Sequence, residues 1–205
     1  MKNIVILISG RGSNMEAIIR AAVAEKWPAR IAAVISNRAD AGGLRTAELA
    51  GIPVAIVEHS NFPDRVSFDR ALAEQIDGFQ PDLVVLAGFM RILSAGFVEH
   101  YRGYLLNIHP SLLPSFPGLS THRRALEAGV RFHGATVHFV TQTLDHGPIV
   151  EQAVVPVFED DVEETLAQRV LAEEHRIYPA AVRGIVEGRI RLDGEHVRRS
   201  ASVAD

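Results

Sequence analysis

The chain contains no cysteine, which excludes disulfides, thiolate metal ligands and a secreted disulfide scaffold, and leaves stability to packing. It has no long apolar run either. The longest, 83–90, falls well short of the roughly 20 residues a membrane-spanning helix needs and reads as a buried strand and its exit. A surplus of positive charge is also missing: the net charge is −4, and the arginines are largely scattered, with Arg198-Arg199 in the tail, which argues against a general nucleic-acid surface. The N-terminus runs Met1-Lys2-Asn3 into Ile4-Val5-Ile6-Leu7-Ile8, too short for a secretory core and without a small-residue cleavage site. These absences predict a cytoplasmic protein that engages neither membrane nor nucleic acid. There is no internal repeat or low-complexity block. What remains is 205 residues, 47% of them hydrophobic, enough for one well-buried domain.

The first hundred residues alternate apolar runs of strand length with longer helical patterns, the arrangement of βαβ units around a parallel sheet. Strands are predicted at 3–8, 30–36, 54–57, 83–87 and 104–108, and helices at 13–25, 40–50 and 64–78. Ser13, Asp40 and Pro63-Asp64 are the expected N-caps, and Gly51 and Gly78 follow two of the helices. Beyond Pro110 the pattern changes. Pro114, Pro117 and Gly118 mark a long loop of a kind that often carries function, and a short helix at 121–128 follows it. Alternating strands at 134–140 and 149–158 are expected to pair antiparallel. An amphipathic helix over 161–186 is expected to break near Tyr178-Pro179, and the polar end 193–205 to fray. The predicted class is α/β: a doubly wound, mostly parallel, Rossmann-like sheet with flanking helices and an antiparallel C-terminal extension.

Ser9-Gly10-Arg11-Gly12-Ser13-Asn14 follows the first strand and opens the first helix. Its glycines let the backbone turn sharply and aim free N–H groups outward, which makes an anion site; a plain tight turn is the alternative, and the Gly-x-Gly-Ser-Asn detail favours phosphate. It is no dinucleotide fingerprint, because the third glycine is missing and Ser36-Asn37 rather than an acid ends the second strand. Nor is it a P-loop, because no Gly-Lys-Ser/Thr follows.

In Leu105-Leu106-Asn107-Ile108-His109 the period-two alternation of a strand sends Asn107 and His109 to one face, and Leu144-Asp145-His146-Gly147-Pro148-Ile149 offers a carboxylate downstream. An amide that donates to an oxyanion, an imidazole and a carboxylate to bias it are the parts of acyl transfer. Taken singly, Asn107 and His109 read as a capped strand end and Asp145 as an Asx-turn residue; only the combination points to chemistry. The histidines at 100, 109, 122, 133, 138 and 146 form no helical His-x-x-x-His pair, and His133 and His138, five apart in a strand, are expected to face opposite sides, so no metal site is predicted. Arg65, in the first turn of a helix, reads on its own as a solvated surface group.

With these blocks laid out, the chain closely resembles the phosphoribosylglycinamide formyltransferase family, 10-formyltetrahydrofolate-dependent enzymes of purine synthesis. The likeness runs from Ile4 to about Arg191. It rests on Gly10-Arg11-Gly12-Ser13-Asn14, Leu86-Ala87-Gly88-Phe89-Met90-Arg91-Ile92-Leu93, Leu106-Asn107-Ile108-His109-Pro110-Ser111-Leu112-Leu113-Pro114, Leu144-Asp145-His146-Gly147-Pro148 and Glu173-Glu174-His175-Arg176-Ile177-Tyr178-Pro179. The resemblance implies that the backbone around Gly12, Ser13 and Asn14 holds the phosphate of glycinamide ribonucleotide and that Glu174 meets the same substrate. It implies a folate site made by Arg65, Met90, Arg91, Ile92, Leu93 and Val98 with Thr141, Gln142, Thr143 and Leu144 beside them, and a catalytic trio of Asn107, His109 and Asp145. It implies 10-formyltetrahydrofolate as co-substrate with no tightly bound cofactor and no metal, and it is compatible with a homodimer. One domain over 1–190 is expected, with 1–110 as the phosphate-binding half, 111–190 as a folate-side extension and 191–205 as a polar tail. His146 and Ser120 depart from residues common in the family, both in loops. Within the enzyme class the alternative is a 10-formyltetrahydrofolate hydrolase, with water in place of the amine; outside it, a non-catalytic phosphate-ligand sensor.

Overall fold

Continuous apolar runs build the first half of the sheet. In β1 (Lys2–Ile8), Ile4, Ile6 and Ile8 enter one core while Val5 and Leu7 enter another, so both faces are buried, as a parallel sheet covered on each side requires. The computed structural model describes residues 1–200. After β1 come α1 (Ser13–Ala24), β2 (Ala29–Ser36), α2 (Gly42–Leu49), β3 (Val54–Ile56), a 3-10 turn at His59–Asn61, α3 (Arg65–Asp77), β4 (Leu83–Leu86), α4 (Ala95–His100) and β5 (Leu105–His109). The second half contributes α5 (Thr121–Glu127), β6 (Phe132–Phe139), β7 (Ile149–Pro156), α6 (Glu163–Val186), β8 (Ile190–Asp193) and β9 (His196–Arg199).

The main sheet has the order β3-β2-β1-β4-β5-β6-β7, parallel through β5 and antiparallel at β6 and β7. Helices α1, α2, α5 and α6 cover one face, through Met15, Ile18, Leu44, Ala125, Val170 and Tyr178; α3 and α4 cover the other, through Phe68, Leu72, Phe97 and Tyr101. The chain order reverses between β1 and β4. Their carboxyl ends therefore diverge into a crevice, the usual ligand position in an open α/β sheet.

Several local expectations need correction. The long helix does not break at Pro179. α6 runs through it, because Ile177, Tyr178, Ala181 and Val182 are buried against the sheet and the Tyr178 hydroxyl sits 2.9 Å from the Leu86 carbonyl and 3.1 Å from that of Leu106. Those contacts outweigh the one backbone donor that proline removes. The tail does not fray from 193 either. β8 and β9 form a hairpin turning through Gly194 (φ 63°), and the Arg199 guanidinium reaches the Val150 carbonyl and the Glu151 carboxylate of β7. Expected fraying over 201–205 lies outside the described residues. Of the three expected caps only Asp64 acts as one, accepting from Ser67 N at 2.8 Å. Gly12 stands before α1, and Ala41 before α2, while Asp40 is drawn into a bidentate pair with Arg38. Helix α4 was not expected from the pattern; Ser94 caps it.

Candidate active site

At the carboxyl end of β1 the chain turns through Gly12 in the left-handed region (φ 74°), a conformation side chains resist, and enters α1 with its first N–H groups facing outward. The turn is buttressed by α2, whose Gly43 N–H donates to the Gly10 carbonyl at 3.0 Å; a Cβ at Gly43 would stand 2.6 Å from Ile8 Cδ1. The turn and the segment following β4 enclose a crevice of about 420 Å³, lined by Gly12, Ser13, Asn14, Asn37, Met90 and Arg91 among others. On its helix side the buried Asn14 Nδ2 donates to Glu174 Oε2 at 2.6 Å, while Asn14 Oδ1 is buried without a partner. Burial pushes the Glu174 carboxyl above the usual carboxylate range, and the Asn14 bond opposes that shift.

The alternation expected of β5 holds. Leu106 and Ile108 go to the α6 side, leaving Asn107 and His109 on the other face. Strand β5 extends to His109, so the imidazole is held by the sheet itself and is 7% exposed. Its two nitrogens meet different partners. Nε2 donates to the Phe116 carbonyl at 3.0 Å, and Nδ1 lies 3.5 Å from Asp145 Oδ2, with both side chains less than a tenth exposed. Asp145 adopts φ 51°, and the same Oδ2 accepts from Gly118 N at 2.8 Å, so the 114–119 loop closes over the pair from both ends. The start of that loop is fixed by the buried Thr136 of β6, whose Oγ1 lies 2.7 Å from the Ser111 carbonyl and accepts from Leu113 N at 3.0 Å.

Asn107 Nδ2 stands 3.2 Å from His138 Nε2, its neighbour across the β5–β6 ladder. His138 Nδ1 donates to the Phe139 carbonyl at 3.0 Å, so Nε2 carries the lone pair and accepts from the amide. Burial lowers His138 from the ordinary histidine value, which keeps it in this neutral form. In the sequence His138 stands out only as a candidate metal ligand; the signal for its real partner is the cross-strand register, which a single strand cannot reveal. Among the described residues no group of three or more His, Cys, Asp or Glu is placed to hold a metal ion.

The structure thus brings together His109 with Asp145, Asn14 with Glu174, and Gly12, Ser13 and Asn14 with Met90 and Arg91. Asn107, His109, Asp145 and Glu174 are not among the residues that line that crevice, and neither are the remaining folate-side residues of the expected set. Ile92 and Leu144 are exposed and Leu93 is half-buried; Val98 is packed inside on α4, Thr141, Gln142 and Thr143 lie at the surface beyond β6, and Arg65 is exposed at the start of α3. Of the two departures, Ser120 precedes α5 at φ 55° and His146 is exposed.

A buried histidine behind the loop sets a pH limit. His133 packs edge-on against Phe116 and His122, both its ring nitrogens lack partners, and burial lowers it to about 4; His122 is lowered as well. Below the ordinary value of 6.5 the unfolded chain takes up protons that the folded chain refuses, so stability falls as pH drops from 6.5 toward about 4. His133→Phe keeps the ring and removes one such group. Its thermal midpoint is expected to fall less steeply than the wild type's across that interval; an unchanged slope would rule out His133 as a source.

The model of the formyl transferase family matches residues 2–182, a span that contains the glycine turn, Asn107, His109, Asp145 and Glu174. The chain belongs to the formyl transferase family. Within it, the chain is 51% identical over 210 residues to the phosphoribosylglycinamide formyltransferase of Escherichia coli K12, covering 99% of each. Its fold is similar to glycinamide ribonucleotide transformylase 1 from Symbiobacterium toebii, with a TM-score of 0.94 and 49% identity over 98% of this chain and 95% of that one. It is also similar, at 31% identity and a TM-score of 0.89, to a formyltetrahydrofolate deformylase from Pseudomonas syringae pv. tomato, covering 98% of this chain and 66% of that one.

Proposed function

We propose that the chain transfers the formyl group of 10-formyltetrahydrofolate to the primary amine of glycinamide ribonucleotide, a step of purine synthesis. The observation that carries this reading is the His109–Asp145 pair beside Asn107 on one strand face, at the same sheet edge as a phosphate-type glycine turn. With Nε2–H committed to the Phe116 carbonyl, the ring is oriented and Nδ1 is the working nitrogen. At 3.5 Å from Asp145 the Nδ1 contact is longer than a good N–H···O bond, which leaves the proton available to a nearer acceptor. The amine lone pair attacks the formyl carbon and the carbonyl π electrons move to oxygen. The Asn107 amide and the Nδ1–H of the imidazolium stabilise that oxyanion, with the Asp145 carboxylate 3.5 Å from Nδ1 on the other side of the ring's charge. Collapse breaks the bond to the folate N10, and a proton passes from the attacking nitrogen to the leaving one with Asp145 assisting. The exposed apolar side chains of Met90, Ile92 and Leu144 suit the folate side.

The phosphate turn separates transfer from hydrolysis, since attack by water has no use for a ribonucleotide phosphate site. Incubating the protein with 10-formyltetrahydrofolate is expected to release tetrahydrofolate only when glycinamide ribonucleotide is present, one formylated ribonucleotide for each folate consumed. Release at the same rate without the ribonucleotide overturns the assignment in favour of a hydrolase.

The turn itself is open to a direct test. A Cβ on Gly12 would stand 3.2 Å from Met15 Cε and 3.3 Å from Gly43 Cα, at a φ that valine resists. Gly12→Val is expected to weaken ribonucleotide binding at least about tenfold while folate affinity stays within about threefold, read by calorimetry. Unchanged ribonucleotide affinity in the folded variant means that the turn is structural only.

A further inference from the structure

The segment that leads from β4 into α4 is irregular, and buried side chains of two other elements hold it at its two ends. Ser9 Oγ, at the end of β1, accepts from Met90 N at 2.7 Å; Asp69 Oδ2, on α3, accepts from Ser94 N at 2.6 Å. Neither acceptor is incidental. Ser9 is 7% exposed, and its hydroxyl spends its proton on Asn37 Oδ1 at 2.6 Å, so it is oriented before it receives Met90. Asp69 is 3% exposed, and its second oxygen, Oδ1, is buried without any donor. A carboxylate with half its capacity unmet is costly to bury, and a lone helix cap at Ser94 does not require it. On the residue next to Asp69, the Phe68 ring lies under the Arg91 guanidinium at 5.9 Å, so this turn of α3 also touches the middle of the segment.

We propose that Ser9 and Asp69 are positioning residues for the folate co-substrate: by fixing residues 90 and 94, they preorganise the backbone of Arg91, Ile92 and Leu93 to read the polar edge of the pterin. The inference rests on the formyltransferase reading above and adds two residues that touch no reacting atom. Preorganisation lowers the cost of ordering on binding, so its loss appears in folate affinity and not in the chemical step. Ser9 also begins the glycine turn, which ties the folate-facing segment to the phosphate side of the crevice.

The test compares Ser9→Ala, Asp69→Leu and Asp69→Asn with wild type, by calorimetric titration of 10-formyltetrahydrofolate and by steady-state kinetics. Loss of one anchoring hydrogen bond is expected to raise the folate Kd and KM about tenfold in Ser9→Ala and Asp69→Leu, with kcat at saturating folate within about twofold. Asp69→Asn keeps an acceptor oxygen for Ser94 N, so it is expected to restore folate affinity to within about threefold of wild type. Folate affinity unchanged in a folded Ser9→Ala overturns the proposal, as does Asp69→Asn binding as weakly as Asp69→Leu. Should Asp69→Leu fail to fold, Ser9→Ala decides, since it removes a single oxygen. A wild type that binds folate but does not formylate the ribonucleotide contradicts the transferase reading and leaves this comparison of folate affinities standing.

Discussion

Asp145→Asn is expected to lose about 100-fold to 1000-fold in turnover, roughly 3 to 4 kcal/mol of barrier, with both substrates binding within about threefold of wild type. The substitution keeps the size of the side chain and an oxygen able to accept from Gly118 N, so the loop has no reason to open. What it withdraws is the negative charge 3.5 Å from His109 Nδ1, and with it the counter-charge to the ring as it faces the oxyanion. A ring that is neutral with its proton on Nε2 presents a lone pair at Nδ1 and repels the oxyanion. His109→Ala is expected to do comparable damage by removing the donor itself. Binding survives in both because these groups meet their charge only in the transition state. An Asp145→Asn enzyme that kept more than about a third of wild-type turnover would lie far outside the range for such a group.

Gly147→Ala is the second large effect, and its cause is steric. A Cβ at residue 147 would stand 1.6 Å from the Phe139 carbonyl oxygen and 2.8 Å from its carbon, so backbone and not a flexible side chain is in the way. The two strands clasp here, with Phe139 N donating to the Pro148 carbonyl at 3.0 Å, and the obstructed carbonyl also accepts from His138 Nδ1. Room for a methyl group is made only by prying residues 144–148 off β6. That carries Asp145 away from His109. Turnover is expected to fall more than about 100-fold, with stability lower by about 2 to 3 kcal/mol. Gly96→Ala is the control: nothing lies within 4 Å of its Cβ, so turnover is expected to match wild type and the thermal midpoint to be equal or slightly higher, as for alanine at an open helical site. A Gly147→Ala enzyme with normal turnover would show that the 144–148 segment can be displaced without moving Asp145.

The parts of this molecule legible in the sequence are those governed by short-range periodicity. Continuous apolar runs placed β1, β2 and β4, and the alternation of Asn107 and His109 against Leu106 and Ile108 put the amide and the imidazole on one face. Pairing across long separations was not legible. Nothing near His109 announces that the Phe116 carbonyl takes its Nε2, and nothing near Asn107 points to His138, because both contacts depend on loop closure and strand register. Local rules misled where tertiary contacts overrode them. Pro179 sits inside a helix that the Tyr178 hydroxyl helps hold against the sheet, and Asp40 prefers Arg38 to a cap. The polar tail through Arg199 is ordered by a contact with β7 that its composition does not suggest. Arg65 and Val98 have no local signal of their own, and their expected roles come from the family likeness alone.

If His109 and Asp145 act as one unit on the oxyanion, the most direct measurement is the single-turnover rate of the double variant His109→Ala, Asp145→Asn beside the two single variants, with all substrates saturating. Once the imidazole is gone the carboxylate has nothing to bias, so the double variant is expected to be slower than the worse single variant by no more than about threefold. Losses that multiply, each about 100-fold on top of the other, would mean that the two side chains act independently and would contradict the coupled mechanism.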